Sequence, residues 1–333
     1  MKPHFARTAA IFSAAGLIAT LAACSTSESD DGTTQLAFFA AGRANSYSQA
    51  EIAGAQEAAD AMGAKLTVFD GNFDPAQQAS QFQSALSTNK FDSFLINAIG
   101  TEQVVQYINQ AGADATPVVC IMNNCGSDLT NISPTVDGQV GFVGFSVGRQ
   151  GELLAEQAGK ACGTTSPCKV AYLQGMSTLT SDVQRTDAFK TALAKLPNLE
   201  LVTVQDGNLD QQASYGVAQN ILSANPELDV IVTAGDQMAL GVKRAVAERS
   251  TSADVKIVSV GASTQGVEAV EDGTIFSTIL LLPFSEGRVG AETAIKAARG
   301  EDFVDSVEIT EQSEIGAVIT RENASQFTPE WTN

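Results

Sequence analysis

Histidine is almost absent from this 333-residue chain, since the single histidine, His4, lies in an N-terminal segment with the pattern of a removable leader. The remainder therefore has no nucleophile activated by histidine, no histidine general base and no histidine metal ligand. No P-loop and no GxGxxG pattern follows a predicted strand, so a dinucleotide enzyme is unsupported. We predict a protein that is not an enzyme and has no cofactor; a secreted α/β hydrolase is the alternative from another class.

Basic residues are also scarce. The sequence has 19 lysines and arginines against 38 aspartates and glutamates, a formal net charge of −19 at pH 7. Loss of the leader removes Lys2 and Arg7, which leaves 17 basic against 38 acidic side chains, a charge of −21. A chain this acidic is not expected to bind nucleic acid or to be drawn by charge to anionic lipid headgroups.

Beyond the leader, no stretch approaches the roughly 20 apolar residues that a membrane-spanning helix needs. Within the leader, Lys2 and Arg7 precede an apolar stretch over residues 9–20, and Leu21-Ala22-Ala23-Cys24 follows. This order resembles the lipobox of bacterial lipoproteins, in which the signal peptide, here residues 1–23, is removed and the cysteine carries lipid. An ordinary secretory peptide with an incidental cysteine is the alternative.

Residues 24–34 are polar and acidic and show no apolar periodicity. We predict that they form a flexible tether between the lipid at Cys24 and the globular body. The protein is then expected on the outer face of the cell membrane, anchored through lipid and not spanning the bilayer.

Four cysteines follow Cys24, namely Cys120, Cys125, Cys162 and Cys168. An even number in an exported protein favours disulfides, and the spacing suggests the local pairs Cys120–Cys125 and Cys162–Cys168. A buried free thiol at Cys120, which lies in an apolar run, is the alternative. A zinc site of four thiolates is disfavoured, because such sites usually contain closer C-x-x-C-like pairs.

One short sequence occurs twice. Residues 70–74 read Asp-Gly-Asn-Phe-Asp and residues 206–210 read Asp-Gly-Asn-Leu-Asp, and each copy follows an apolar run and opens an amphipathic helix. A separation of 136 residues is too long for a solenoid unit, so we predict one architecture used twice, as two similar lobes. Two unrelated strand–turn–helix units with favoured turn residues are the alternative. The first copy resembles the start of a calcium loop, but proline and glutamine stand at its sixth and twelfth positions, so we predict no metal ion.

Apolar runs and amphipathic segments alternate from Gln35 onward. This pattern predicts an α/β fold of doubly wound parallel sheets with helices on both faces. It includes a helix over residues 101–111 and a long apolar strand over residues 274–282. Ligands of such sheets bind at the carboxyl ends of the strands, so two facing lobes would form a cleft between their strand-end loops.

The loops at the predicted strand ends carry side chains that suit a polyhydroxyl compound, with rings to face C–H surface and polar groups for directed hydrogen bonds. These candidates are Asn45, Tyr47, Asn97, Asn123, Arg185 and Asp236. Plainer alternatives are a solvated Arg185, an N-cap at Asp236, turn asparagines and a core Tyr47. Because all of them fall at strand ends, we expect them to converge.

Several stretches resemble the periplasmic-type sugar-binding proteins, the ribose-binding class of solute receptors for ABC importers. They include Asn45-Ser46-Tyr47, Leu95-Ile96-Asn97, Arg185-Thr186-Asp187-Ala188-Phe189, Asn208-Leu209-Asp210, Asp236-Gln237-Met238-Ala239-Leu240-Gly241 and Leu282-Pro283. The resemblance covers roughly residues 35–319. It agrees with local cysteine pairs, because a bridge between lobes would hinder closure.

The resemblance implies two doubly wound parallel-sheet lobes joined by a three-strand hinge near Phe145, Leu281 and Glu308. The first lobe would comprise residues 35–145 plus 282–307, and the second residues 146–281 plus 308–328. Carried over by position, the ligand contacts would include Asn45, Tyr47, Asn123 and Arg185, with Leu209 where ribose binders place a stacking aromatic ring.

The chain also departs from the ribose-binding pattern. Met122 stands for a pocket aspartate, Gly235 and Ala262 for two polar residues, and Leu281 for the hinge glutamine. Ribose itself is therefore disfavoured, and a different sugar, a polyol or a less polar solute is expected.

The implied function is that of a monomeric, extracytoplasmic solute-binding lipoprotein. It would capture a sugar or sugar-like small molecule by lobe closure and deliver it to the permease of an ABC transporter. A ligand sensor that signals to a membrane protein without transport is the alternative.

Overall fold

Strands and helices alternate along the chain in the computed structural model, so the predicted α/β class is confirmed. The strands are β1 (Gln35–Ala40), β2 (Lys65–Asp70), β3 (Ser93–Ile96), β4 (Val118–Met122), β5 (Gln139–Gly144), β6 (Cys168–Gln174), β7 (Leu199–Asp206), β8 (Val230–Thr233), β9 (Lys256–Gly261), β10 (Ser277–Leu280), β11 (Ser306–Glu308) and β12 (Val318–Thr320). The helices are α1 (Ser46–Ala61), α2 (Pro75–Thr88), α3 (Val105–Ala113), α4 (Val147–Cys162), α5 (Thr180–Leu193), α6 (Gln211–Ala224), α7 (Asp236–Ala247), α8 (Thr264–Glu271) and α9 (Pro283–Arg299).

The structure describes residues 32–249 and 254–333, and the described residues from Thr33 onward form one compact unit. The predicted leader at residues 1–23, the Cys24 anchor and the tether up to residue 31 lie outside the described residues. Within the two described ranges, every helix is too short or too polar to cross a bilayer.

The strands form two six-stranded sheets, one in each lobe. The first has the order β11-β5-β4-β3-β1-β2 and the second β12-β10-β9-β8-β6-β7. All pairings are parallel except that of β12 with β10. When the strands are numbered within each lobe, both sheets contain the order 5-4-3-1-2, so the predicted repetition of one architecture is confirmed.

The chain passes between the sheets three times. After β5 it enters α4, which packs on β8 and β9; after β10 it enters α9, which packs on α1 and β4; and after β11 it continues to β12. The two-lobe fold is thus confirmed. The residue-level lobe boundaries and the hinge positions near Phe145, Leu281 and Glu308 stay predictions.

The repeated sequence adopts the same backbone conformation in both lobes. Asn72 and Phe73 have φ angles of 50° and 53°, and Asn208 and Leu209 have φ angles of 58° and 51°. The aspartate that ends each copy caps the following helix through its side chain. Each copy is therefore a strand–turn–helix corner in which two successive residues take the left-handed conformation.

Helices α1 and α9 pack closely because each has a glycine at the contact. A Cβ at Gly54 would collide with the carbonyl of Phe284, and one at Gly287 would collide with the carbonyl of Glu51. This close approach fixes α9 on the first sheet and brings the first turn of α9 beside α1.

The cysteines form two local disulfides, Cys120–Cys125 and Cys162–Cys168, with Cα–Cα distances of 6.1 Å and 5.9 Å. The predicted pairing is confirmed, and Cys120 is not a free thiol.

Two predicted element bounds were wrong. Strand β10 is only four residues long, because Asp272 accepts from Thr274 N (2.8 Å) in a turn before it and Pro283 begins α9 shortly after it. Helix α3 begins at Val105, four residues later than predicted, after a turn in which Gln103 N donates to Gly100 O.

Candidate functional site

A cavity of about 100 Å³ lies where the carboxyl ends of the two sheets face each other, and both lobes contribute to its wall. Six of the seven predicted ligand-binding residues line it, namely Asn45, Tyr47, Asn97, Asn123, Arg185 and Leu209. Asp236 is not among the lining residues. Parallel strands bring their carboxyl ends to one edge of a sheet, which explains why residues at strand ends converge here. Solute contact by each of these residues stays a prediction.

Asn45 and Tyr47 are positioned by the start of α1. The Asn45 Oδ1 accepts from Tyr47 N (2.9 Å) and Ser48 N (3.3 Å), which makes Asn45 the N-cap. The Tyr47 hydroxyl donates to Glu286 Oε2 at 2.7 Å, so Tyr47 offers its ring to the cavity. Burial, followed by the nearby Glu286 carboxylate, raises the pKa of Tyr47 well above its usual value.

Asn97 connects the cavity to a buried carboxyl. Its amide nitrogen donates to both carboxylate oxygens of Glu51, which is fully buried in α1. Burial raises the pKa of Glu51 to about 8, although hydrogen bonds from Asn97 and Ser48 lower it in part. Burial, followed by the Glu51 charge, raises the pKa of Glu286 well above its usual value. The ion pairs of the described ranges do not include Glu51, and its pKa of about 8 favours the neutral form near pH 7.

Arg185 brings to the cavity wall a positive charge that a neighbouring carboxylate balances. Its guanidinium forms an ion pair with Asp182 one turn earlier on α5, and the two side chains are only 4% and 3% exposed. Its Nε donates to Gln150 Oε1 at 2.9 Å. The solvated alternative for Arg185 is therefore wrong. A buried, paired arginine at the cavity wall can donate hydrogen bonds to a solute without adding net charge.

Asn123 has an acceptor that no described residue uses. Its Oδ1 is buried and makes no hydrogen bond within residues 32–249 and 254–333. Backbone geometry fixes this placement at the cavity wall, since Met122 before it has a φ of 61° and the Asn123 N–H bonds to Ile121 O at 2.6 Å. A buried polar atom without a partner costs stability, and a solute hydroxyl could satisfy it.

Asp236 does not line the cavity, and its side chain is held in a buried hydrogen-bond network. Its fully buried carboxylate accepts from Ser259 Oγ (2.7 Å), Thr278 Oγ1 (2.8 Å), and both the N–H (2.8 Å) and Oγ (2.9 Å) of Ser263. Burial raises its pKa, and these hydrogen bonds oppose the rise. The network joins β9, β10 and the start of α8. The N-cap alternative is also wrong, because Gly235 occupies the cap position of α7.

Of the four departures from the ribose-binding pattern, Met122, Gly235 and Leu281 line the cavity, whereas Ala262 does not. Two apolar side chains and a glycine thus stand on the wall where the resemblance implied polar residues.

Further lining residues, including Phe73, Asp182 and Trp331, were not predicted from the sequence. The repeat could have revealed Phe73, because Leu209 occupies the equivalent position in the other lobe. Asp182 could have been found from its i,i+3 spacing to Arg185. No sequence signal placed Trp331, which lies past residue 328, the end of the predicted second lobe, in a tail without periodicity.

Residues 144–148 read Gly-Phe-Ser-Val-Gly, a G-x-S-x-G pattern that bears on the hydrolase alternative. In α/β hydrolases such a serine is a nucleophile at a strand-to-helix turn. Here Ser146 is the N-cap of α4: its Oγ donates to Thr130 O (2.9 Å) and accepts from Arg149 N (3.3 Å). Since the described ranges contain no histidine, this serine has a capping role and lacks a histidine partner.

The family model of the periplasmic binding protein domain matches residues 36–302 of this chain. The chain belongs to the periplasmic binding protein family. Among curated relatives, the ribose import binding protein RbsB of Salmonella typhimurium is 28% identical over 252 residues, which cover 74% of this chain and 79% of the relative. The D-allose-binding periplasmic protein of Escherichia coli is 23% identical over 252 residues, covering 74% and 78% of the two chains.

Solved structures show the same fold for this periplasmic binding protein. An ABC transporter solute-binding protein from Mycobacterium smegmatis, with bound glycerol, has a TM-score of 0.75 and 26% identity, covering 91% of this chain and 100% of its own. One from Bacillus halodurans, with bound myo-inositol, has a TM-score of 0.77 and 23% identity, covering 90% and 98%. These relatives are solute-binding proteins and not enzymes. A purely sensory role is not favoured, because the curated relatives named above include an import binding protein.

Proposed function

We propose that this protein is the extracytoplasmic solute receptor of an ABC importer and that it binds one uncharged, sugar-like solute in the cavity between the lobes. The observation that carries the proposal is the buried Arg185–Asp182 pair on the same cavity wall as the unpartnered Asn123 Oδ1. Together these groups offer a donor and an acceptor to a hydroxyl-bearing solute. The ion pair has no net charge, so a charged solute would be buried without a counter-ion.

The rest of the wall supports the same class of solute. Apolar side chains form much of it, including Ile99, Met122, Leu179, Leu209, Val260 and Leu281. Such a wall suits the C–H faces of a sugar or polyol, while a few amides fix its hydroxyls. The names of the relatives reported above refer to ribose, allose, glycerol and myo-inositol, which are all uncharged.

We further propose that the receptor acts as a monomer and is held at the membrane by lipid on Cys24. The support for the anchor is the Leu21-Ala22-Ala23-Cys24 sequence after a short apolar stretch and the polar tether that follows. Delivery to an ABC permease is proposed from the family alone. Metabolic labelling with a radioactive fatty acid tests the anchor: Cys24→Ala should abolish incorporation, and incorporation that survives this change would overturn it.

A thermal-shift panel tests the solute class on the lipid-free body, residues 33–333. D-ribose, D-allose and myo-inositol are compared with ribose 5-phosphate. At a concentration of 100 times its dissociation constant, a bound solute stabilises the protein by about 2.7 kcal/mol. We expect a shift with at least one neutral compound and none with the phosphate. A shift with ribose 5-phosphate alone would overturn the uncharged class, and no shift at all would overturn sugar capture.

A further inference from the structure

The C-terminal tail, residues 327–333, reaches the cavity. Trp331, the only tryptophan of the chain, lines the cavity and is 5% exposed. The tail ends against α8, where Asn333 N donates to Gln265 Oε1 at 2.9 Å. A segment that belongs to no regular element therefore supplies part of the cavity wall.

Hydrogen bonds to both lobes hold this tail in place. The Trp331 carbonyl accepts from Thr264 N (2.9 Å), and its indole Nε1 donates to Gly261 O (3.0 Å), both in the second lobe. The neighbouring Glu330 accepts from Ser285 N (3.0 Å) at the start of α9, which packs on the first sheet. The indole is thus fixed in position and orientation before any solute arrives.

The backbone beneath the indole leaves room for it. Gly261 has a φ of 149°, and a Cβ built there would lie 3.1 Å from the Trp331 ring and closer still to the Asp236 carboxylate. A larger residue at position 261 would displace either the indole or the Asp236 network. The position of the Trp331 side chain therefore depends on a glycine at the end of β9.

The indole meets a ring of the other lobe at the cavity. Its centroid lies 5.5 Å from that of Tyr47, with the ring planes at 79°. The Tyr47 hydroxyl is already bonded to Glu286, so these two rings contribute apolar surface. Sugars pack their C–H faces on aromatic rings, whereas the aliphatic Leu209 on the same wall offers no ring face.

We propose that Trp331 contacts the bound solute directly and determines specificity. Its indole is the apolar wall against which a ring-sized sugar or cyclitol rests, and solutes too small to reach it bind without this contribution. This inference rests on the proposed function, because it names a contact of that same solute. It assigns the role to a tail residue outside the 36–302 stretch that the family model matches.

Calorimetric titration of the lipid-free body with D-allose, myo-inositol and glycerol tests the proposal. We compare wild type with Trp331→Phe, which keeps a ring, and Trp331→Ala, which removes it. Thermal melts without solute show whether each variant is folded. For a six-carbon compound we expect Trp331→Ala to raise the dissociation constant about tenfold or more and Trp331→Phe to raise it only a few-fold. The dissociation constant for glycerol should change by less than about twofold.

The titration with glycerol separates a direct contact between Trp331 and the solute from a structural role of Trp331. A distorted cavity would weaken the binding of all three compounds equally, and that result would overturn the direct contact. Intrinsic fluorescence gives a second readout on wild type, since all tryptophan emission comes from Trp331. We expect its emission to change as D-allose or myo-inositol saturates the protein. Unchanged affinity and unchanged emission in the presence of demonstrable binding would overturn the role of Trp331 and leave the proposed function standing. Failure of wild type to bind any of the three would overturn the role of Trp331, and if D-ribose also gives no thermal shift the proposed function is overturned as well.

Discussion

The amide nitrogen of Asn97 donates to both carboxylate oxygens of Glu51, at 2.8 and 3.1 Å. Glu51 is fully buried, and its charge acts on the neighbouring Tyr47 and Glu286, where it raises the pKa of both. A carboxyl that loses water and gains no cation holds its proton. The Asn97 side chain on the cavity wall therefore rests on a carboxyl, that of Glu51, which is favoured in its neutral form near pH 7.

This arrangement predicts that stability falls as pH rises between about 4.5 and about 8. The folded pKa of Glu51 is raised to about 8 from 4.5, so in this window the folded state binds a proton that the unfolded state has lost. One such proton changes the unfolding free energy by about 1.4 kcal/mol per pH unit. Urea unfolding at pH 5, 6, 7 and 8 measures the slope. Glu51→Gln should make this slope less steep by the contribution of about one proton. If the variant keeps the wild-type slope, Glu51 is not the source of the pH dependence.

The buried ion pair predicts that Arg185→Ala destabilises the fold as well as abolishing binding. The change leaves the Asp182 carboxylate buried without its partner, which typically costs about 3–5 kcal/mol. The double change Arg185→Gln with Asp182→Asn removes both charges and should recover most of the stability while binding stays weak. Denaturant unfolding and calorimetry on the same samples separate the two effects. Full recovery of binding in the double variant would show that the charges do not serve the solute.

We predict that Gln184 slows the release of solute, because its side chain joins the two lobes. Its side chain accepts from Leu129 N (3.1 Å) and donates to Ser127 O (2.8 Å), so α5 of the second lobe holds the loop between β4 and β5 of the first. Separation of the lobes must break both bonds, each worth about 1 kcal/mol. Gln184→Ala should therefore release solute several-fold faster in stopped-flow experiments. The matched control is Val183→Ala, at an exposed neighbour on the same helix, and an equal effect there would argue against the lobe contact.

Two glycine-to-alanine changes should have opposite effects on stability, because only one of the two glycines lies at the close contact between α1 and α9. Gly54→Ala should destabilise the protein by about 1–3 kcal/mol, because the added methyl meets the Phe284 carbonyl. Gly216→Ala, inside α6 with no atom within 4 Å of the added Cβ, should stabilise it by about 0.5–1 kcal/mol. Thermal unfolding of both variants decides the matter. Equal shifts would mean that backbone entropy and not the helix contact governs Gly54.

Particular residues show how far the structure could be predicted from the sequence. The repeated Asp-Gly-Asn corner predicted two lobes, because its turn and cap chemistry is local and follows directly from residue types. The cavity was predicted for a similar reason, since parallel strands bring their carboxyl ends to one edge. Asp236 was assigned to the cavity because it follows a strand; its burial under Ser259, Ser263 and Thr278 depends on two later elements.

Trp331 could not be placed from the sequence. Its position on the wall depends on a hydrogen bond to Gly261 and a ring contact with Tyr47, which are 70 and 284 positions away in the chain. Neither contact leaves a periodic pattern in the tail itself. The buried acids Glu51 and Glu286 were missed for the same reason, because helices α1 and α9 meet only in the folded protein.

A crystal structure of the lipid-free body, grown with the neutral compound that gives the largest thermal shift, tests the central claim most directly. We expect one solute molecule in the cavity between the lobes. A solute hydroxyl should donate to Asn123 Oδ1, the Arg185 guanidinium should donate to the solute, and the Trp331 indole should face its C–H surface. Solute bound elsewhere, or an empty cavity in protein that is saturated by calorimetry, would contradict the proposed site.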